Sequence, residues 1–183
     1  IGASANFPNQ LARLEVKQQH RVFFGPCLRG RKARQGKRRQ QIIADRVDEI
    51  ASMFAIEPEN AFLRLAWSLV TGRSVHAFDT ADVVDGGQDK QMDVFVIEEQ
   101  DDSGDVFILQ TKYTDSFSSN VLIQLANGLR WVFQRPRRDL ELLPNTALRD
   151  KILEYRALQS SLGPSNIRVH VRFVTCGDAS TVS

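Results

Sequence analysis

The apolar positions of the chain change period along its length, and the changes mark its elements. Ile43, Val47, Ile50 and Phe54 stand at i, i+4, i+7 and i+11, the spacing of one face of a helix beginning near Gln41. Pro58 sits where a second helix tolerates proline, in its first turn. Phe62, Leu65, Ala66 and Leu69 supply that helix with a buried stripe, and Gly72 supplies a stop. The stretch from Arg73 to Gln91 is mixed, with one short strand expected around Ala81 to Val84 before the Gly86-Gly87 pair. Asp93 to Glu98 and Val106 to Tyr113 then read as two strands joined by the acidic turn DDSGD. Val106 to Leu109 is apolar at consecutive positions, which predicts a central strand covered on both faces.

Beyond the hairpin the helical period returns. Leu122, Leu125, Leu129 and Val132 form one face, with Ser118 or Ser119 as the cap. After the interruption at RPRR, Leu148, Ile152, Tyr155 and Leu162 form another, closed by Gly163-Pro164. The segment IRVHVRFVT alternates strictly, with Ile167, Val169, Val171 and Phe173 on one side and Arg168, His170 and Arg172 on the other. That is a half-buried strand. A hairpin followed by a helical crossover to a further strand implies an α/β fold with a mixed sheet flanked by helices.

Charge divides the chain. Residues 1–40 hold ten Lys or Arg and one acid, a local +9, so the remainder carries −7 of a total of +2. Residues 1–28 show no convincing period. Arg29, Arg31, Lys32, Arg34, Lys37, Arg38 and Arg39 follow without an acid among them. A basic N-terminal arm over residues 1–40 is therefore expected beside a folded domain over residues 41–183, the arm being a solvated linker or a phosphate-binding segment. No apolar run approaches the ~20 residues that span a bilayer, and no signal-peptide pattern opens the chain, so a cytoplasmic location is expected. Cys27 and Cys176 lack a CxxC partner or a nearby histidine pair, which argues against a zinc site or disulfide framework. His20, His76 and His170 are equally scattered.

The polar ends of the hairpin strands carry the candidate chemistry. Reflection through a turn centred near Ser103 sets Asp93 opposite Lys112, with Gln110 on the same face as Lys112. A carboxylate, an amide oxygen and an ammonium at one sheet edge suit metal-assisted phosphodiester hydrolysis. Mg²⁺ or Mn²⁺ takes oxygen ligands, here Asp93 and the Gln110 side chain. Lys112 would orient a water or neutralise a phosphate. The same residues also describe an ordinary strand end with a cross-strand ion pair of about 0.2–1 kcal/mol.

The segments VDGGQDKQMDVFVI and VFILQTKY resemble the core motif of the PD-(D/E)xK nuclease superfamily. More narrowly, they are similar to the N-terminal nuclease-like domain of AIPR proteins (abortive infection, phage resistance). The resemblance covers about Glu59 to Thr175. It implies a restriction-endonuclease-like fold with an α-β-β-β-α-β core. It also implies a metal-dependent endonuclease acting on DNA, with RNA open as an alternative substrate, in defence against phage or foreign DNA. By position, Asp93 matches the first catalytic acid, Gln110 the second-acid position and Lys112 the lysine. Glu59 fits the further acid that members carry on the first core helix, or is a first-turn residue favoured by the helix dipole, and Asp89 and Asp85 either add negative charge near the metal or belong only to a glycine-rich turn. Gln124 is read as reaching the same cleft or, as the plainer alternative, as an exposed surface residue, and Arg130, Arg135, Arg137 and Arg138 as flanking a phosphate track or as part of a solvated loop. The departure is Gln110, a neutral amide where the pattern has an acid. It keeps a second reading open, a catalytically silent nucleic-acid-binding or assembly module of the same fold. The resemblance further leads to the expectation of a longer parent protein, and it is compatible with a homodimer.

Overall fold

The computed structural model describes residues 29–114 and 119–176. Residues 1–28, with His20 and Cys27, lie outside the described residues, and side chains are described from Arg39 onward.

Helix α1 spans Arg29–Phe54 and α2 spans Pro58–Thr71. The basic run is thus helical backbone continuous with the helix that the apolar spacing starts near Gln41. The physical reason is that Arg, Lys and Gln are strong helix formers, and the run contains no proline to stop propagation. Val47 and Ile50 are fully buried against Ala61, Phe62 and Leu65 of α2, as the spacing predicts. Helix α2 ends at Gly72, whose φ of 72° supplies the left-handed cap.

The stripe expected on α2 needs correction. Leu69 is 73% exposed, whereas Leu63 and Trp67 are buried. A single stripe describes a helix with one neighbour, and α2 has two. Phe62 and Leu65 meet α1, while Leu63 and Trp67 pack on Val94, Val96 and Leu109 of the sheet.

Strands β1 (Val94–Glu99) and β2 (Gly104–Lys112) pair antiparallel, and β3 (Ile167–Thr175) pairs parallel with β2. The sheet order is β1-β2-β3, so β2 is central, as its unbroken apolar run requires. The short strand expected near Ala81–Val84 is reduced to a 3-10 turn at Thr80–Asp82 and a single bridge between Val83 and Val94. Between β2 and β3 the chain forms α3 (Ser119–Gln134), the single turn α4 (Arg137–Leu140) and α5 (Thr146–Leu162). Asn145 caps α5, accepting from the Leu148 N–H at 2.9 Å.

The larger core fills the face of the sheet that carries Phe95, Val106 and Ile108, covered by Leu125 and Val132 of α3, Leu140 of α4, and Leu148, Ile152 and Tyr155 of α5. The opposite face lies under α2 and α1. The described residues thus form a mixed α/β fold with a three-stranded mixed sheet and helices on both faces. Among the described residues no helix is long and apolar enough to cross a membrane.

Candidate functional site

The hairpin register decides which polar residues meet. Val94 faces Leu109 and Glu99 faces Gly104, so the next position beyond β1 sets Asp93 opposite Gln110. Lys112 lies two residues further along β2, where direct opposition to Asp93 was expected. The turn is responsible: the Gln100 N–H donates to the Ser103 carbonyl at 2.8 Å, closing the hairpin earlier than a turn centred on Ser103 would.

At Asp93 the regular ladder stops, and its backbone N–H donates to the Leu109 carbonyl at 2.8 Å. The side chain folds over the end of β2. Its Oδ2 accepts from the Thr111 N–H at 2.7 Å, the Thr111 hydroxyl at 2.8 Å and the Gln110 Nε2 at 3.3 Å. Its Oδ1 accepts none of these bonds. Asp93 is 8% exposed, and burial pushes its carboxyl above the usual range. The Thr111 donors and the Lys112 charge oppose that shift, while the Asp85 charge adds to it. Lys112 therefore acts on Asp93 as a nearby positive charge and not as its pairing partner.

Gln110 is 2% exposed, and it presents its amide nitrogen, not the expected oxygen, to Asp93. The same nitrogen donates to the Thr111 carbonyl at 3.1 Å. Among the described residues its buried Oε1 has no hydrogen-bond partner. An unsatisfied buried acceptor costs about 1–3 kcal/mol, and natural structures retain one chiefly where a ligand, ion or water completes it.

Two further carboxylates approach Asp93. Ligand oxygens of Asp85, Asp89 and Asp93 all lie within 4.8 Å of one another. Burial raises the Asp89 carboxyl, and its contact with the Asp85 carboxyl raises it further, against the pull of hydrogen bonds from Gln91 and Gly86 N–H groups. Three carboxylates this close repel unless protonated or neutralised by a cation. Three carboxylates offer hard oxygen donors of the kind that a divalent cation such as Mg²⁺ or Mn²⁺ takes. The residues present fit such an ion.

Glu59, the expected helix acid, is exposed in the first turn of α2 and is not among the clustered carboxylates. Asp85 stands in the cluster instead. The sequence signal for it was slight: an Asp immediately before a glycine pair, eight residues from Asp93. Gln124 and Arg130 are exposed on α3. Arg135 and Arg137 pair with Asp139 and Glu141, respectively, around α4, and Arg138 lies 3.6 Å from Asp139. Of the basic segment only Arg39 has a described side chain, and it is exposed. Beyond the end of β2, a cavity of about 500 Å³ opens between Gln40–Ala44 of α1 and Tyr113, Thr114 and Cys176. The basic half of α1 therefore leads away from the same end of the sheet that carries Gln110 and Lys112.

No protein-family model, curated protein or solved structure matches the chain.

Proposed function

We propose that the chain is a divalent-metal-dependent nuclease domain, with Asp93, Asp89 and Asp85 as cation ligands, Gln110 at the position of a second acid, and Lys112 as the phosphate- or water-orienting ammonium. The observation that carries the reading is the approach of three carboxylates to within 4.8 Å of one another, one of which, Asp93, accepts from the buried Gln110 amide, whose oxygen has no partner among the described residues. Asp89 and Asp85 offset the negative charge that a glutamine at position 110 lacks. A helical element, a hairpin carrying the site, a helical crossover and a parallel strand follow the order of a restriction-endonuclease-like core, with the Val83–Val94 bridge standing where its first strand would pair. The resemblance of the hairpin to AIPR-type domains favours DNA as substrate and defence against phage or foreign DNA as the setting.

A bound Mg²⁺ or Mn²⁺ would supply an activated water and charge stabilisation at the phosphate. The chain's own contributions are separate. Thr111 holds the Asp93 carboxylate in place through two donors. Lys112, on the strand beside it, offers a compact positive charge to a phosphate oxygen. The basic segment Arg29–Arg39 at the start of α1 binds the nucleic-acid backbone, which makes affinity fall with salt.

Incubation of the purified chain with plasmid DNA and Mg²⁺ or Mn²⁺ tests this. Cleavage should disappear with EDTA and in Asp93→Ala and Lys112→Ala. Cleavage that persists in both variants overturns the assignment.

A second reading, a silent nucleic-acid-binding module, draws on the orientation of Gln110, whose nitrogen holds the Asp93 oxygen that a cation would share. Salt-sensitive DNA binding with no Mn²⁺ uptake in titration calorimetry, DNA present or absent, favours it over the enzyme.

A further inference from the structure

The loop that brings Asp85 and Asp89 to Asp93 has an unusual backbone. Gln88, Lys90 and Gln91 take φ values of 65°, 59° and 62°, and Gly86 takes 137°. Non-glycine residues enter this region at a cost and stay there only where their surroundings hold them. Local bonds supply part of the hold: the Gln91 N–H donates to Asp89 Oδ1 at 2.8 Å and the Met92 N–H to the Asp89 carbonyl at 3.2 Å. The upstream end is tied to α5, where Asn145 Nδ2 donates to the Val84 carbonyl at 2.9 Å and Lys151 pairs with Asp82 at 2.7 Å.

The downstream end, which carries Asp89, rests on α3. Gly128 is buried, and a Cβ placed there would stand 2.0 Å from the Lys90 carbonyl oxygen and 3.0 Å from its carbon. Only a glycine lets the loop backbone approach the helix so closely. One turn further along α3, the Trp131 ring lies under the Lys90 ammonium at 4.8 Å from its centroid. Lys90 Nζ also donates to Gln88 Oε1 at 2.9 Å.

We propose that Gly128 and Trp131 are positioning residues that set the cation affinity of the Asp85–Asp89–Asp93 cluster, by seating the Lys90 peptide in a notch on α3. The proposal rests on the metal-binding reading above. Neither residue touches the cation. Each acts through the path of the loop, which leaves Asp89 within reach of Asp93 only while Lys90 stays seated.

The test is Mn²⁺ titration calorimetry on the whole chain, paired with hydrogen exchange of the loop amides in metal-free protein. Gly128→Ala should weaken Mn²⁺ binding about 10- to 100-fold, the range in which outer supports of metal ligands act, and speed exchange at Gln91 and Met92. A role confined to the helix predicts the reverse, since alanine ordinarily stabilises a helix over glycine. Wild-type affinity and exchange in a folded Gly128→Ala therefore overturn the proposal. Trp131→Leu avoids the steric clash, and it decides the matter if the alanine variant does not fold. It should weaken binding about two- to fivefold through loss of the cation–π contact, with Trp131→Phe restoring it. Unchanged affinity in Trp131→Leu then overturns the proposal. Absence of Mn²⁺ binding in the wild-type chain removes the metal reading itself, an outcome distinct from wild-type binding that neither substitution alters.

Discussion

Thr111 grips Asp93 twice, through its backbone N–H at 2.7 Å and its hydroxyl at 2.8 Å, both on the same carboxylate oxygen. The backbone bond survives any substitution at position 111 except proline, which has no N–H, whereas the hydroxyl bond is a side-chain choice. Thr111→Val keeps the shape of the residue and removes that donor from a buried carboxylate. The expected loss is about 1–3 kcal/mol in denaturant unfolding at neutral pH, with Thr111→Ser losing less. Equal stability of the valine variant and the wild type would show that the bond contributes nothing net.

Three carboxylates this close repel one another in the metal-free fold. Asp89→Asn preserves the oxygen that receives the Gln91 N–H while removing one negative charge within 4.8 Å of two others. In EDTA at pH 7 the variant should unfold at higher temperature than the wild type, by an amount near 1 kcal/mol, as relief of a functional repulsion commonly does. An unchanged or lower midpoint would mean that the three charges do not repel as their spacing requires.

Saturation with Mn²⁺ should reverse that order. At one hundred times the dissociation constant, a cation bound only by the native state adds about 2.7 kcal/mol. The wild type should gain this in thermal unfolding and Asp93→Ala should not. A gain of the same size in Asp93→Ala would place the bound ion elsewhere.

Asp105 provides the pH-dependent contact at the opposite end of β2. Burial alone would raise its carboxyl, but His170 at 2.7 Å and Arg168 at 2.8 Å outweigh that and hold it below the usual range. A carboxyl depressed in the folded state adds stability above its unfolded pKa of about 3.9 and loses it as pH falls through the lower folded value. Asp105→Asn should therefore cost about 1 kcal/mol at pH 7. The gap to the wild type should close below about pH 4. A gap that widened as pH fell below about 4 would contradict the depressed pKa.

Arg156 closes the C-terminal end of α3 from α5. Its Nη2 donates to the Phe133 carbonyl at 2.8 Å and the Val132 carbonyl at 3.2 Å, which are among the last four carbonyls and lack helical partners. Arg156→Ala should destabilise by about 1–2 kcal/mol. Arg156→Lys should recover part of it, because the ammonium keeps the charge and the donors but loses the fixed planar geometry that aims Nη2 at both carbonyls. Calorimetric unfolding of the three proteins decides.

Periodicity made much of the architecture legible. The face of α1 with Val47 and Ile50, the α5 face with Leu148, Ile152 and Tyr155, and the two-sided burial of β2 follow from apolar spacing alone, because burial is what that spacing records. Leu69 and Trp67 show where the method stops: a stripe drawn from one face of α2 missed the second face, turned to the sheet. The site was legible in part. Asp93, Gln110 and Lys112 stood out as polar residues ending apolar strands. Their pairing did not, because the register depends on a turn closed between Gln100 and Ser103, and a shift of two residues leaves every side chain on the face it had.

Local order is written into this chain residue by residue, since helix and strand spacing, glycine stops and the Asn145 cap act over a few positions. The choice of Asp85 over Glu59 is of another kind. It depends on a left-handed loop that Asn145 and Lys151 of α5 tie at its upstream end and that rests at its downstream end against Gly128 of α3. A contact of that sort costs chain entropy that only the completed packing of α3 on the loop can offset, so it exists in the folded protein and has no counterpart in the order of the residues.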